Sequence, residues 1–218
     1  NSVHDGGADT GLQTAAIISS GHLADGTGRT TACETYDGTS FSTSSGTLAQ
    51  GRYGAGRGGS SGTAAFVCGG DNNPGLLGVT EEFNISTSTI TGAAWASGGN
   101  VNTKTLSGGG SGTLTAGLKA GGRQGDASPQ GGNETEEYNG TSWTNGGDLG
   151  RDRFDFSMAG PQTAAVTVGG YDIGSSPNTF VDCEEYDGSS WTAGGNYPSV
   201  VFTTGTAGTQ TAAVAFGG

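Results

Sequence analysis

Residues 135–147 read Thr-Glu-Glu-Tyr-Asn-Gly-Thr-Ser-Trp-Thr-Asn-Gly-Gly, and residues 183–195 read Cys-Glu-Glu-Tyr-Asp-Gly-Ser-Ser-Trp-Thr-Ala-Gly-Gly. They are one unit written twice. Asn139-Gly140 and Asp187-Gly188 are dipeptides that readily take positive φ at both central positions of a type I′ turn, and both sit between runs rich in Tyr, Thr and Trp. Each copy is predicted to be a β-hairpin. A lone hairpin is marginal in water, so the fold depends on how many copies there are and on what joins them.

A second landmark precedes each hairpin: runs beginning at Thr14, Thr63, Thr115, Thr163 and Thr211, separated by 49, 52, 48 and 48 residues. That spacing is near the period of about 50 residues expected of propeller blades and far from the ~33 to 34 of helical repeats. Four of the runs end in a Gly pair, at 69–70, 121–122, 169–170 and 217–218, whereas the first ends in Ser20-Gly21. Within the runs, alternate faces differ in bulk: Ala164, Val166 and Val168 oppose Ala165 and Thr167. A strand apolar on both faces suits a sheet packed between two others, the setting expected of an inner propeller strand. Upstream of each run lies a looser strand, and downstream come a Glu-rich strand, a turn and a Trp strand. Each repeat is therefore predicted to have four strands.

These signals predict an all-β propeller of four-stranded antiparallel blades, about five in number with the last incomplete. One domain spans 1–218, with repeats near 1–50, 51–101, 102–149 and 150–198 and a partial one at 199–218.

Composition narrows the function. Twenty acidic residues against 8 basic ones give a net charge of −12, which repels nucleic-acid backbones and anionic lipid. No nucleic-acid or membrane partner is expected. The 46 glycines come with only 5 prolines and no Gly-X-Y period, so the chain reads as ordered rather than collagen-like or low-complexity. Cys33 and Cys183 hold the position occupied by Thr80 and Thr135 in the other repeats. They read as small strand residues, and Cys68, in an apolar run, as a buried thiol.

In their order of basic residue, apolar strand, Gly-Gly, Glu-Tyr-Asp strand, turn and Trp, the repeats resemble the kelch family. Glu137, Tyr138 and Trp143, and Glu185, Tyr186 and Trp191, follow the pattern. The first copy departs from it with Tyr36 followed by Phe41 in place of Trp, and the second runs from Glu82 to Trp95 through a longer insert. The wording is also similar to Gly-rich kelch-like arrays in predicted virion or tail proteins of marine bacteriophages. That resemblance implies a virion-surface or extracellular location, with other subunits of an assembly as partners and host glycan as a further one.

The Glu pairs 81–82, 136–137 and 184–185 invite comparison with the two carboxylates of glycosidases. However, neighbours on a strand point to opposite faces, and the pair recurs in three repeats, which favours a structural role. Kelch-type propellers include copper radical oxidases, but His4 and His22 are the only histidines here. No catalytic residue, metal ligand or cofactor is assigned. The loops after the Gly pairs differ from one another, and Asp71, Asn72, Asn73, Arg123, Asp126, Tyr171 and Asp172 on them are the candidate binding residues. Such side chains suit sugar hydroxyls or Ca²⁺. The reading is a non-enzymatic binding or assembly module. A secreted or cell-surface carbohydrate-binding adhesin and a propeller from a larger enzyme are the alternatives.

Overall fold

The computed structural model describes residues 4–5, 7–23, 28–73, 75–84, 94–124, 131–174 and 176–218. After a short strand β1 (His4–Asp5), the first blade contains β2 (Ala8–Leu12), β3 (Ala15–Ser19), β5 (Cys33–Tyr36) and β6 (Phe41–Thr43), with β4 (His22–Leu23) pairing β1. The second is β7 (Gly56–Ser61), β8 (Ala64–Cys68), β9 (Thr80–Asn84) and β10 (Ala94–Ser97). The third is β11 (Gly109–Thr113), β12 (Ala116–Arg123), β13 (Gly131–Tyr138) and β14 (Trp143–Asn145), and the fourth is β15 (Ser157–Ala159), β16 (Ala165–Val168), β17 (Asp182–Tyr186) and β18 (Trp191–Asn196). A two-stranded hairpin, β19 (Gly205–Thr209) and β20 (Ala212–Phe216), follows.

The described residues thus form a propeller of four four-stranded antiparallel blades. The expected count of about five is corrected to four, because β20 pairs β19 alone among the described residues and the two outer strands that would make a fifth sheet are not there. The Thr-Ala runs counted strands of one kind rather than blades. They are also the second strand of each sheet, not the innermost, and the strands lining the centre are β2, β7, β11, β15 and β19, of which β7, β11 and β19 are rich in glycine. A strand without bulky side chains can crowd the axis, whereas its neighbour, covered on both faces, carries the apolar residues.

The turn chemistry differs from a two-residue type I′ turn. Tyr138 pairs with Trp143 across a four-residue loop in which only Gly140 has positive φ, at 90°. Asn139 Oδ1 accepts the Thr141 and Ser142 N–H groups at 3.0 Å each, and Asp187 Oδ1 accepts those of Ser189 and Ser190 at 2.8 Å. The side chain at the start of the loop therefore fixes the turn.

Blade junctions repeat. The apolar face of each second strand packs on the next blade: Ile17 joins Ala65, Val67 and Phe83, Phe66 and Cys68 join Tyr138 and Trp143, Leu118 and Ala120 join Ala165 and Tyr186, and Val166 and Val168 join Val201 and Ala215. At the end of that strand the chain turns sharply, with Gly69 and Gly70 at φ 66° and 90° and the second amide donating to Thr105 O in the next blade at 3.0 Å. The same bond links Gly21 to Arg52, Gly122 to Arg153 and Gly170 to Val201. In the first blade Ser20 takes the left-handed conformation, at φ 61°, which a residue with a Cβ reaches only at a cost.

Candidate functional site

The first member of each Glu pair is engaged in structure, as are Glu82 and Glu137 on the opposite face of their strands, whereas Glu185 is exposed. The first lies against a buried cation: Arg52 Nη2 on Glu81, Lys119 Nζ on Glu136 at 3.4 Å, and Arg153 Nη2 on Glu184 at 2.5 Å. It also accepts backbone N–H groups from the incoming linker, of Ala49 for Glu81 at 2.7 Å, of Asn102 and Thr103 for Glu136 at 2.6 and 2.8 Å, and of Gly150 for Glu184 at 2.7 Å. The arginines add bonds to carbonyls: Arg52 Nη1 donates to Gly69 O and Val79 O at 3.0 and 3.1 Å, and Arg153 Nη1 to Gly169 O and Asp182 O at 2.8 and 3.2 Å. A buried charge is tolerable only when matched in this way.

Isolated bridges set Tyr53 opposite Asp71, Leu106 opposite Arg123 and Phe154 opposite Tyr171. Arg52 and Arg153 therefore correspond to Thr105 in the third blade, and Lys104 falls one residue short. There the cation comes instead from Lys119 on the second strand, where the other blades carry Ile18, Val67 and Thr167. The recurring basic residue upstream was visible in the sequence as a blade marker, but its carboxylate partner was not.

In the second and third blades the second Glu serves the next blade. Tyr138 Oη donates to Glu82, and Tyr186 Oη donates to Glu137 Oε1 at 2.6 Å. Burial, and donation to a carboxylate that would repel a phenolate, push the Tyr138 phenol up to about 12 and the Tyr186 phenol higher still. Where Thr35 replaces Glu, the next blade has Phe83, which has no hydroxyl to satisfy. The tryptophans show a parallel pattern: Trp95 Nε1 donates to Cys33 Sγ at 3.2 Å, Trp143 Nε1 to Thr80 Oγ1 at 2.9 Å, and Trp191 Nε1 to Thr135 Oγ1 at 2.9 Å. Cys and Thr interchange there because each is small and can accept a hydrogen bond. All three cysteines are unpaired and buried, and burial raises the Cys33 thiol to about 11 and that of Cys68 to about 12. Neither is poised as a thiolate nucleophile.

The candidate loop residues hold local positions. Asp71 is bridged by Arg29, accepts the Asn73 N–H at 3.2 Å, and neighbours Asn72, whose amide lies 3.5 Å from Gln50 Oε1. Asp172 is buried and accepts the Gly131 and Gly174 N–H groups at 3.3 Å each. Tyr171 packs edge-on against Phe154, with ring centroids 5.2 Å apart. Arg123 ends β12 opposite Leu106, and Asp126 lies outside the described residues. Asp71, Arg123 and Tyr171 hold equivalent places in successive blades, and none of the six described candidates lines the central cavity. Among the described residues no cluster of three or more His, Cys, Asp or Glu is placed to hold Ca²⁺ or another metal.

The central cavity, about 930 Å³, is lined by residues of β2, β7, β11, β15 and β19. Its walls are glycine backbone and Thr10, Thr113, Thr206 and Thr209, with Arg57 and Asp9 paired at 3.3 Å. Two apolar faces also open onto it. Leu12 and Phe41 of the first blade are exposed, and Tyr36 stacks on Phe41 at 4.7 Å in the way that Tyr138 stacks on Trp143 at 4.9 Å inside the molecule. Across from them, Val214 and Phe216 of β20 are 57% and 59% exposed, whereas Phe66, on the matching face of β8, is fully buried. The hairpin is held to the fourth blade by Gln210 Nε2, which donates to Ala165 O and Tyr186 O at 3.1 and 2.8 Å, and by Thr206 Oγ1, which donates to Met158 O at 2.8 Å. Compared with protein-family models and with curated protein sequences, the chain matches none.

Proposed function

We propose that the chain is a non-enzymatic binding and assembly module. Its setting on this reading is a phage virion, as a tail-fibre or capsid-associated protein, and its partners are neighbouring subunits. The observation that carries the reading is the pair of unpartnered faces. Leu12 and Phe41 on one side, and Val214 and Phe216 on the other, are the two halves of a junction that is closed between the other blades. Exposed apolar patches of this kind mark association sites. The kelch-type reading of the repeats belongs to the same proposal, supported by the Gly pair, Glu-Tyr strand and Trp that recur in the sheets, and the phage setting by the wording of the repeats.

Sedimentation of the 218-residue chain over a wide concentration range tests the reading. Association that weakens in Phe216→Ser and Phe41→Ser supports it. A chain that stays monomeric throughout, and does not co-sediment with virion subunits, overturns it. A second reading, a carbohydrate-binding module, draws on the threonine hydroxyls and the Asp9–Arg57 pair lining the cavity. A glycan array separates the two.

A further inference from the structure

Two Asn-Gly dipeptides occur in the chain, Asn139-Gly140 and Asn145-Gly146, and both asparagines are exposed. In water such a pair is open to one reaction, attack of the glycine amide nitrogen on the side-chain Cγ, and glycine has no Cβ to stand in its way. The structure treats the two copies differently.

At Asn139 the groups that the reaction needs are in place. Its Oδ1 accepts the N–H groups of Thr141 and Ser142 at 3.0 Å each, which curls the side chain over the peptide that joins it to Gly140. Two donors on that oxygen stabilise the negative charge that builds there during attack, as an oxyanion hole does. Among the described residues neither the Gly140 N–H nor the Asn139 Nδ2 has a hydrogen-bond partner, so the nucleophile is free and the leaving group faces water.

At Asn145 they are tied up. The residue ends β14 opposite Glu136, its Oδ1 accepts the side-chain amide of Asn102 at 2.9 Å, and the Gly146 N–H donates to Thr135 O at 2.9 Å. Attack there requires the backbone hydrogen bond to open first.

We propose that Asn139 is a self-modification site: in the folded chain it loses ammonia to form a cyclic imide with Gly140, which water opens to aspartate or isoaspartate, while Asn145 is spared. Water is the only co-reactant. The Gly140 nitrogen gives up its proton and bonds to Cγ, the Cγ–Nδ2 bond breaks, and ammonia carries the proton away. Water then adds at one of the two imide carbonyls. Opening at Cγ restores the ordinary main chain with a carboxylate at 139, whereas opening at the main-chain carbonyl routes the backbone through the side chain and lengthens it by a methylene.

The first product is one this fold already uses. Asp37-Gly38 and Asp187-Gly188 hold the same turn in the first and fourth blades, with Gly38 and Gly188 at φ 94° and 93° beside 90° for Gly140. Each aspartate accepts the same two N–H groups at 2.8 Å. Those bonds hold both carboxyls below the usual carboxylate range, and an ionised carboxylate is a poor target for the same attack. Conversion to aspartate therefore gives the third blade the turn of the first and fourth and goes no further. Isoaspartate instead draws Tyr138 and Trp143 out of register, and with them the indole bond to Thr80.

The test incubates the folded 218-residue chain at mildly alkaline pH in isotope-labelled water, and in parallel the same chain unfolded in urea. Peptide mapping by mass spectrometry reads each asparagine separately, and isoelectric focusing reads the negative charge gained. In the folded chain Asn139 is expected to convert at least about tenfold faster than Asn145, with one solvent oxygen taken up, whereas in urea the two should react at similar rates. Asn139→Asp should leave the thermal midpoint unchanged and end ammonia release from the folded chain. Equal rates at the two sites in the folded chain overturn the proposal, as does a folded chain in which Asn139 stays intact, or an Asn139→Asp chain with a lowered midpoint.

Discussion

At the scale of single residues, the junctions depend on groups that must stay protonated. The Tyr138 phenol and the Cys68 thiol are raised to about 12 and the Cys33 thiol to about 11, from ordinary values of 10.0 and 9.0. Above pH ~9 the unfolded chain releases these protons while the folded chain keeps them, so stability is intact below that pH and falls steadily as pH rises through the folded values. Phenolate absorbance followed together with circular dichroism should show Tyr138 and Tyr186 ionising only as the fold is lost. Trp143 gives a second residue-scale prediction. It is buried, and its Nε1 donates to Thr80 Oγ1 at 2.9 Å and Gly99 O at 3.1 Å. Trp143→Ala should cost ~3–5 kcal/mol in denaturant unfolding, with the shape of the far-UV spectrum retained.

At the scale of the element, the sheets of the second, third and fourth blades each carry a buried cation on a Glu, and the third blade builds that pair from a different strand. Removing one partner of such a pair leaves a charge without compensation. Lys119→Val should therefore destabilise by about 3 kcal/mol, and Thr105→Arg in the same chain should restore part of that loss, because residue 105 stands where Arg52 and Arg153 do. Denaturant midpoints of the two single variants and the double variant measure the coupling. Much of the element level was legible beforehand. The hairpins with Tyr138 opposite Trp143 and Tyr186 opposite Trp191, and the four strands to a repeat, followed from alternation and turn residues. The strands lining the cavity were harder to read, since Gly109-Gly110-Ser111-Gly112 has no side-chain alternation. The Lys119–Glu136 pair was hidden because its cation had moved from one strand to another.

For the whole molecule, the number of blades could not be read from the landmarks, because Ala212 to Phe216 has the wording of a buried second strand in a place where it is exposed. Burial depends on what covers a strand, and the strand's own letters do not record it. Phe216→Ser should accordingly change stability by less than ~0.5 kcal/mol, whereas Phe66→Ala, at the matching face of β8, should cost ~3–5 kcal/mol. Thermal unfolding of the two variants side by side checks the difference. The candidate loop residues were legible as variable positions on a repeated frame. Their local ties, Asp71 to Arg29 and Asp172 to backbone amides, required the three-dimensional arrangement.

Phe66 lies between two glycines: a Cβ on Gly58 would come within 2.6 Å of its ring, and one on Gly117 within 2.7 Å. Elsewhere the residue at the place of Gly117 is Ala65 or Ala165, facing the smaller Ile17 and Leu118. The near-identical repeats are therefore not interchangeable. Recombination between two of them, which their shared wording would favour in a gene, would bring an alanine methyl against the Phe66 ring or leave Gly117 facing a hollow. Volume complementarity between neighbours fixes the order of the blades, and lengthening or shortening the array by a repeat calls for a compensating change in the adjoining blade.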